Sequence, residues 1–501
     1  MSWSRGYVAE SPYVTTYHPH QSPTHLAMAC AVQGVLWEPG PRIVVADLGC
    51  GRGLTSCALA ASNPDWTVIG LDYMPAHVAE ARSLAAEAGL HNVRFLEADL
   101  AEMTEAELDA LPELDVVTLH GLWSWVATEV RAGILRLLRR RLRPGGVVHV
   151  SYNALPGWSG GLGLQHLIAT VAATQPGPAE DRAVIALDLA RALDRAGARV
   201  LDTPVAKKFT AEDTELHPAY LAHEFLNQHW RPAFFSEVAA DFGRAKLDHV
   251  GSARLRDNFD ALLLTPAQRE IQLSLPPGPA RELVKDLAVI RTFRDDVFAR
   301  GIVPADRERL CGAITVALSA HLPPDHPRAA PKVETAEGEM SLPDEVVRPM
   351  LAALRERPHR IAELLAQPTS RRTNAAELLM ILTNEGLAHP VWRPDAPAAE
   401  AVAVAARFND VCYRRYAPHG IGRGRYALAS PVLGSGLGCG PLELAVTARL
   451  RVGEPPDPAA LAGALVPAEA TTDERADAAK AIGRLLSERL EPFRQLGIGA
   501  D

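Results

Sequence analysis

The residues with the clearest chemical capacity form one short stretch, Asp47-Leu48-Gly49-Cys50-Gly51-Arg52-Gly53. An acid is followed by glycines at alternate positions. Glycine permits a tight turn and lets a ligand come close to the backbone. The apolar run at 43–46 reads as a buried parallel strand. A helix starts at Leu54, and its first amides point back at the loop. Strand, glycine loop and helix together make a nucleotide-type site at the carboxyl edge of a sheet. The spacing narrows the ligand. A dinucleotide fingerprint needs its third glycine where Leu54 stands; here it is Gly53. No lysine follows these glycines, so there is no phosphate loop. What is left is a glycine-lined site holding Cys50, with the Asp47 carboxylate at the strand tip, suited to a cationic amine.

Two further acids end later strands: Asp72, followed by Tyr73, and Asp99, followed by Leu100. A carboxylate at the second strand tip can accept both ribose hydroxyls of an adenosine. One at the third can accept the adenine amino group. Taken with these acids, Asp-x-Gly-x-Gly-x-Gly resembles motif I of class I S-adenosylmethionine (SAM) methyltransferases. That resemblance implies SAM as cofactor, with Asp47, Gly49, Cys50, Gly51, Gly53, Asp72, Tyr73, Asp99, Leu100 and His120 as cofactor-binding positions.

A second pair of segments follows the fourth and fifth strands. His120-Gly121-Leu122-Trp123-Ser124-Trp125-Val126 and Ser151-Tyr152-Asn153-Ala154-Leu155-Pro156-Gly157-Trp158 resemble segments of bacterial methyltransferases with a methyltransferase regulatory domain. The rickettsial protein lysine methyltransferases belong to that group. His223-Glu224-Phe225-Leu226 and Arg291-Thr292-Phe293-Arg294 are similar to later segments of the same family. Both strand-tip segments also have their own chemistry. Aromatic faces of Trp123, Trp125, Tyr152 and Trp158 stabilise cations such as a sulfonium or an ammonium. Tyr152 and Asn153 offer hydrogen bonds to a nucleophile, and His120 is a candidate base. Tyr152, Asn153, Trp125 and His120 are therefore the candidate catalytic residues. No metal ligand set is expected, because the N-terminal histidines His18, His20 and His25 are loosely spaced and suit a cover segment.

The elements that must position these groups follow a βα alternation, with strands expected at 43–47, 67–72, 93–98, 116–120 and 147–152. The expected fold class is α/β: a doubly wound Rossmann-like methyltransferase sheet with a helical insertion and a C-terminal winged-helix-like domain. Residues 1–41 read as an N-terminal cover segment and 42–214 as the SAM-binding core with its helical insertion. Residues 215–300 form the regulatory region by resemblance, with a helix expected over 281–300. A strand at 246–250 could be the sheet's sixth. The proline-rich 301–345 reads as a linker, and 346–501 as the winged-helix-like domain. In that domain Arg371-Arg372 would be the basic face, and a terminal helix spans 473–496.

Whole-chain numbers bound the partners. At 501 residues the chain holds about two to four domains. A net charge of −9 disfavours a general nucleic-acid binder. Six scattered cysteines without a C-x-x-C pair suit a reducing compartment. No apolar h-region or bilayer-length run occurs, so a cytoplasmic setting without membrane partners is expected. Three functions remain open. One is a methyltransferase acting on a protein lysine. Another acts on a small-molecule acceptor, with the C-terminal domain shaping a pocket or mediating a homodimer. The last is a non-catalytic SAM sensor.

Overall fold

Four short strands and one long one set the frame: β1 (Val44–Leu48), β2 (Thr67–Asp72), β3 (Val93–Glu97), β4 (Leu114–Leu119) and the longer β5 (Leu142–Leu155). They run parallel in the order 3-2-1-4-5. The structure is a computed structural model. It describes residues 5–8, 10, 15–211, 214, 216–323, 326, 329–367, 374–417, 424–467 and 469–498. Tyr13, Pro324, Pro327, Arg371, Arg372 and Gly420 lie outside these, and with them the proposed basic face. Strands buried on both faces must be apolar throughout, and helices cover them: α1 (Pro23–Val32), α2 (Leu54–Ser62), α3 (Pro75–Glu87), α4 (Glu105–Asp109) and α5 (Thr128–Arg141). α4 starts on a full capping box, with Thr104 and Glu107 each bonding the other's backbone.

The sheet does not stop at β5. β8 (Phe293–Ala299) pairs antiparallel with β5, and β7 (Asp248–Ser252) pairs antiparallel with β8. Two residues of β6 (Ala233–Phe234) pair with the tip of β5. The 246–250 expectation therefore falls at the sheet edge, and a boundary at 214 divides one sheet. The helix expected over 281–300 is corrected. A helix covers Pro279–Val289 and ends where Ile290 takes φ 49°; the rest is β8. Its charged residues disguised it. Arg294 is 4% exposed and is held by Asp286, Glu282 and Asp296, so β8 buries charge that a strand pattern would place outside.

Between β5 and β6 lie α6 (Leu162–Ala173), α7 (Ala179–Arg195), α8 (Pro204–Thr210) and α9 (Pro218–Phe225), with their own core of Trp158, Leu164, Leu187, Phe209 and Phe225. α10 (Phe235–Arg244) leads into β7.

The linker reading of 301–345 is also corrected. It contains a helix (Arg307–Ala313), a strand (Thr315–Leu318) and the hairpin Lys332–Thr335/Gly338–Ser341. The Thr315–Leu318 strand is the centre of a three-stranded antiparallel sheet with His359–Arg360 and Ala388–Pro390. The C-terminal unit thus begins before 346. Its hairpin Tyr426–Ser430/Ser435–Cys439 lies against α2: Ser62 Oγ donates to Ser435 O at 2.9 Å and Asn63 Nδ2 to Gly434 O at 2.9 Å. No helix among the described residues is long and apolar enough to cross a membrane.

One packing contact bears directly on the loop after β3. A Cβ on Gly133 of α5 would fall 1.8 Å from the carbonyl oxygen of Leu100. Backbone cannot yield as a side chain can. We expect Gly133→Ala to cost about 3 kcal/mol, read as a lowered denaturation midpoint; an unchanged midpoint would contradict this packing.

Candidate active site

The glycine loop is set by hydrogen bonds from its own strand neighbours. Gly49 N and Cys50 N both donate to Leu71 O, at 2.8 and 3.1 Å. Gly51 N donates to Asp72 Oδ2 at 2.8 Å, so the acid at the β2 tip holds the loop. Two glycines are required for different reasons. Gly53 has φ 79°, and a Cβ there would meet Ala81 Cβ at 2.6 Å. Gly51 has φ 53° and nothing within 4 Å of where its Cβ would sit, which leaves room for a ligand against the backbone.

Among the described residues Asp47 has no cation beside it. Gln21 Nε2, Thr118 Oγ1 and Ser56 Oγ donate to it at 2.8, 3.0 and 2.7 Å. Burial raises its carboxyl above the ordinary value, and these neutral donors only partly offset that. Asp72 also accepts Met74 N at 2.9 Å. Asp99 pairs with Arg5 at 2.8 Å and accepts Ala101 N at 2.9 Å.

These groups open on one cavity of about 2580 Å³. Asp47, Gly49, Cys50, Gly51, Gly53, Asp72, Tyr73, Asp99, Leu100 and His120 all line it, as do Trp125, Asn153 and Trp158. The N-terminal segment lines it too, through Tyr7, His18 and Gln21, and the Tyr7 ring lies 5.6 Å from that of Tyr73.

Tyr152 is the exception among the candidate catalytic residues. It is fully buried, donates to Asp296 at 2.7 Å and does not line the cavity. Burial and the neighbouring carboxylate push its phenol well above its usual value, so it is a framework residue. The alternation of β5 explains this: Asn153 faces the cavity, so Tyr152 faces the other layer. Trp123 is likewise 1% exposed, packed on Phe242.

Spacing alone did not show that the histidines converge. His18 stacks on His120 with centroids 3.7 Å apart, and His149 lies 5.8 Å beyond. His149 and His20 approach the buried Asp295 at 3.2 and 3.5 Å, and Arg254 pairs with it at 2.7 Å. Burial alone would raise Asp295, but hydrogen bonds from His149 and His20 hold it well below the carboxylate range. His120, His149 and Asp295 place ligand-type atoms within 4.8 Å of one another. Arg254 already balances that carboxylate. Burial lowers His120 well below its usual value, so its 3.9 Å approach to Asp295 is not an ion pair at neutral pH, and Nδ1 instead meets Ser151 Oγ at 3.2 Å. His120 is therefore held neutral, and the same burial disfavours its protonated form, which weakens it as a base.

Sequence reasoning named Glu224 only as part of a family segment and missed Trp230. Glu224 is 6% exposed and lines the cavity, and Trp230 stands edge-on to Trp158 at 5.1 Å. The available signal was an acid on the otherwise apolar face of α9.

Burial also makes the cover segment pH-sensitive. His18 is lowered to about 4 and His25, which bonds Ala253 O, to about 3. Below pH about 6.5 the unfolded chain takes up protons that the folded chain refuses, so stability falls with pH. Thermal melts should show this loss between pH about 6.5 and 4, on the order of 2 kcal/mol per histidine by pH 4.5. A flat melting temperature from pH 7.5 to 4.5 would contradict the buried, neutral state.

Comparison with known proteins agrees with this arrangement. A methyltransferase domain model matches residues 45–146, and a predicted methyltransferase regulatory domain matches 217–300. An uncharacterised protein of Synechocystis sp., sll1526, is 31% identical over 458 residues, covering 88% of this chain and 87% of that protein. An uncharacterised protein of Rickettsia prowazekii, RP028, is 29% identical over 150 residues, 30% of this chain and 58% of its own. The solved structures of PKMT2 from Rickettsia typhi share the fold. One has TM-score 0.68 at 16% identity, and the other, in complex with AdoHcy, has 0.69 at 17%. Each covers 98% of this chain and 100% of that one. This chain belongs to the same family as the Synechocystis protein, and its matched domains make it a class I SAM-dependent methyltransferase carrying a methyltransferase regulatory domain.

Proposed function

We propose that this chain transfers the methyl group of SAM to an amine of a protein lysine. One observation carries the reading. The free backbone of Gly51, together with Asp72 and Asp99, lines the same cavity as Trp125, Asn153 and Trp158. The first half fits the cofactor: an uncrowded glycine cradle with a carboxylate at each of the next two strand tips. Asp72 would accept the ribose hydroxyls and Asp99, beside Leu100, the adenine amino group. Tyr73 and Tyr7 would shield the ring from water. Bound there, SAM supplies an electrophilic methyl on a sulfonium.

The chain's own residues do the rest. Methyl transfer by SN2 displacement depends on holding nucleophile and methyl in line and dry. Trp125 and Trp158 exclude water and favour a cationic neighbour. Asn153 offers an amide to the incoming nucleophile. An apolar wall also favours the deprotonated amine, the form that reacts. The size of the cavity suits a side chain presented by another protein, and the resemblance to rickettsial protein lysine methyltransferases favours lysine.

Two measurements test this. Asp72→Ala removes both the ribose acceptor and the anchor of Gly51, and should weaken S-adenosylhomocysteine binding by about tenfold or more in calorimetry; unchanged affinity would reject the assignment. Incubating the full chain with methyl-labelled SAM and a native lysate should place label on lysine in acid-precipitable protein. Label confined to a small extractable product would reject the protein acceptor, and tight cofactor binding without any transfer would reject the enzyme.

A further inference from the structure

The acceptor half of the cavity holds a charge that the cofactor reading does not use. Glu224 lies near the end of α9, whose other buried residues are Ala219, Leu221, Ala222 and Phe225. Asn153 Nδ2 and Trp230 Nε1 donate to its Oε1 at 2.9 and 3.4 Å. Among the described residues, Oε2 accepts no hydrogen bond and no cation stands within ion-pair distance; Lys208, which lines the same cavity, acts on the carboxylate from farther off. An ionised carboxylate out of water and without an ion-pair partner costs several kcal/mol. A fold that keeps one against an open cavity is shaped for a ligand that supplies the charge. The neighbours suit the same ligand. Trp158 and Trp230 stand edge to face, and Phe209 lies 5.8 Å from Trp158. Aromatic faces attract an ammonium and pack its methylene stem. Through Asn153 the carboxylate is tied to the tip of β5, where the cofactor half begins.

We propose that Glu224 receives the ammonium of the acceptor, so that the enzyme selects cationic primary amines on an alkyl stem; this rests on the methyltransferase reading above. The ammonium pairs with the carboxylate and transfers one proton to it, leaving a neutral amine beside a neutral carboxylic acid. The freed electron pair on nitrogen forms the N–C bond as the S–C bond breaks. S-adenosylhomocysteine departs with the sulfonium's former bonding pair, the product is a methylammonium, and the carboxylic acid releases its proton to water. Burial already raises the Glu224 carboxyl above its ordinary value, which strengthens it as a proton acceptor.

The test uses the full chain saturated with S-adenosylhomocysteine and two probes with the same four-carbon side-chain stem, N-acetyl-lysine methylamide and N-acetyl-norleucine methylamide, the second lacking the terminal ammonium. Binding is followed by tryptophan fluorescence and calorimetry. The lysine probe should bind about tenfold or more tighter than the norleucine probe. Glu224→Gln should remove that preference and leave S-adenosylhomocysteine affinity unchanged, which also shows the variant folded. Glu224→Asp, which keeps the charge, should retain part of the preference and serves if the Gln variant does not fold. Equal binding of the two probes, or a full preference in Glu224→Gln, would overturn the proposal. If the wild-type chain fails to bind S-adenosylhomocysteine, the methyltransferase reading fails instead.

Discussion

The buried carboxylate of Asp295 is the constraint on which the cavity depends. It sits in the middle of β8, 1% exposed, where an unpaired charge could not stay. Its partners come from every part of the site: His149 from β5, His20 from the cover segment and Arg254 from the turn after β7. His20 ties β8 to the N-terminal segment, and the docked segment brings His18 onto His120 and Gln21 onto Asp47. Cover, catalytic sheet and regulatory region are three names for one polar assembly. Removing Arg254 would leave that buried charge without its permanent cation, which costs more than the contact itself contributes.

The glycine loop is supported from behind in a similar way. α2 begins at the loop and ends at Ser62 and Asn63, both of which bond the C-terminal hairpin. That hairpin lies close because Gly436 has no Cβ; one there would meet the Tyr17 ring at 2.8 Å. Tyr17 in turn donates to Gly436 O at 2.7 Å. Arg393 clamps the same corner through Asn63 and Asp65. The C-terminal unit thus fixes the helix whose first amides face the cofactor half of the cavity.

What was legible in the sequence follows from range. Gly49, Gly51, Gly53, Asp72 and Asp99 could be read because each lies at the end of a local strand-to-helix unit, where spacing alone fixes the position. Asn153 and Tyr152 differ by one residue, yet β5 sends them to opposite layers, and aromatic type gave no clue to which. β8 was misread because Arg294, Asp295 and Asp296 look like the outer face of a helix until their partners on other elements are known. The histidines 18, 20 and 25 gave no signal in spacing, since their convergence with His149 is made by the fold. The linker reading failed because prolines near 323–331 mark one connection, and the helix and strand before it carry Cys311 and Val316 into the core.

The two halves of the cavity differ in origin, and this bears on how the enzyme can vary. The cofactor half is built from consecutive βα units whose loops face one edge, so its ligand is fixed by the local sequence. The acceptor half is assembled from Trp125 after β4, Asn153 on β5, Trp158 after it, Glu224 on α9 and Trp230 beyond. Most of these lie on the insertion and the regulatory segment, outside the parallel strands. On the proposed assignment, substitution there would change which nucleophile is received without disturbing the strand tips of the cofactor half. The regulatory segment completes the sheet through β8, and under the proposal above it also supplies the carboxylate that receives the acceptor.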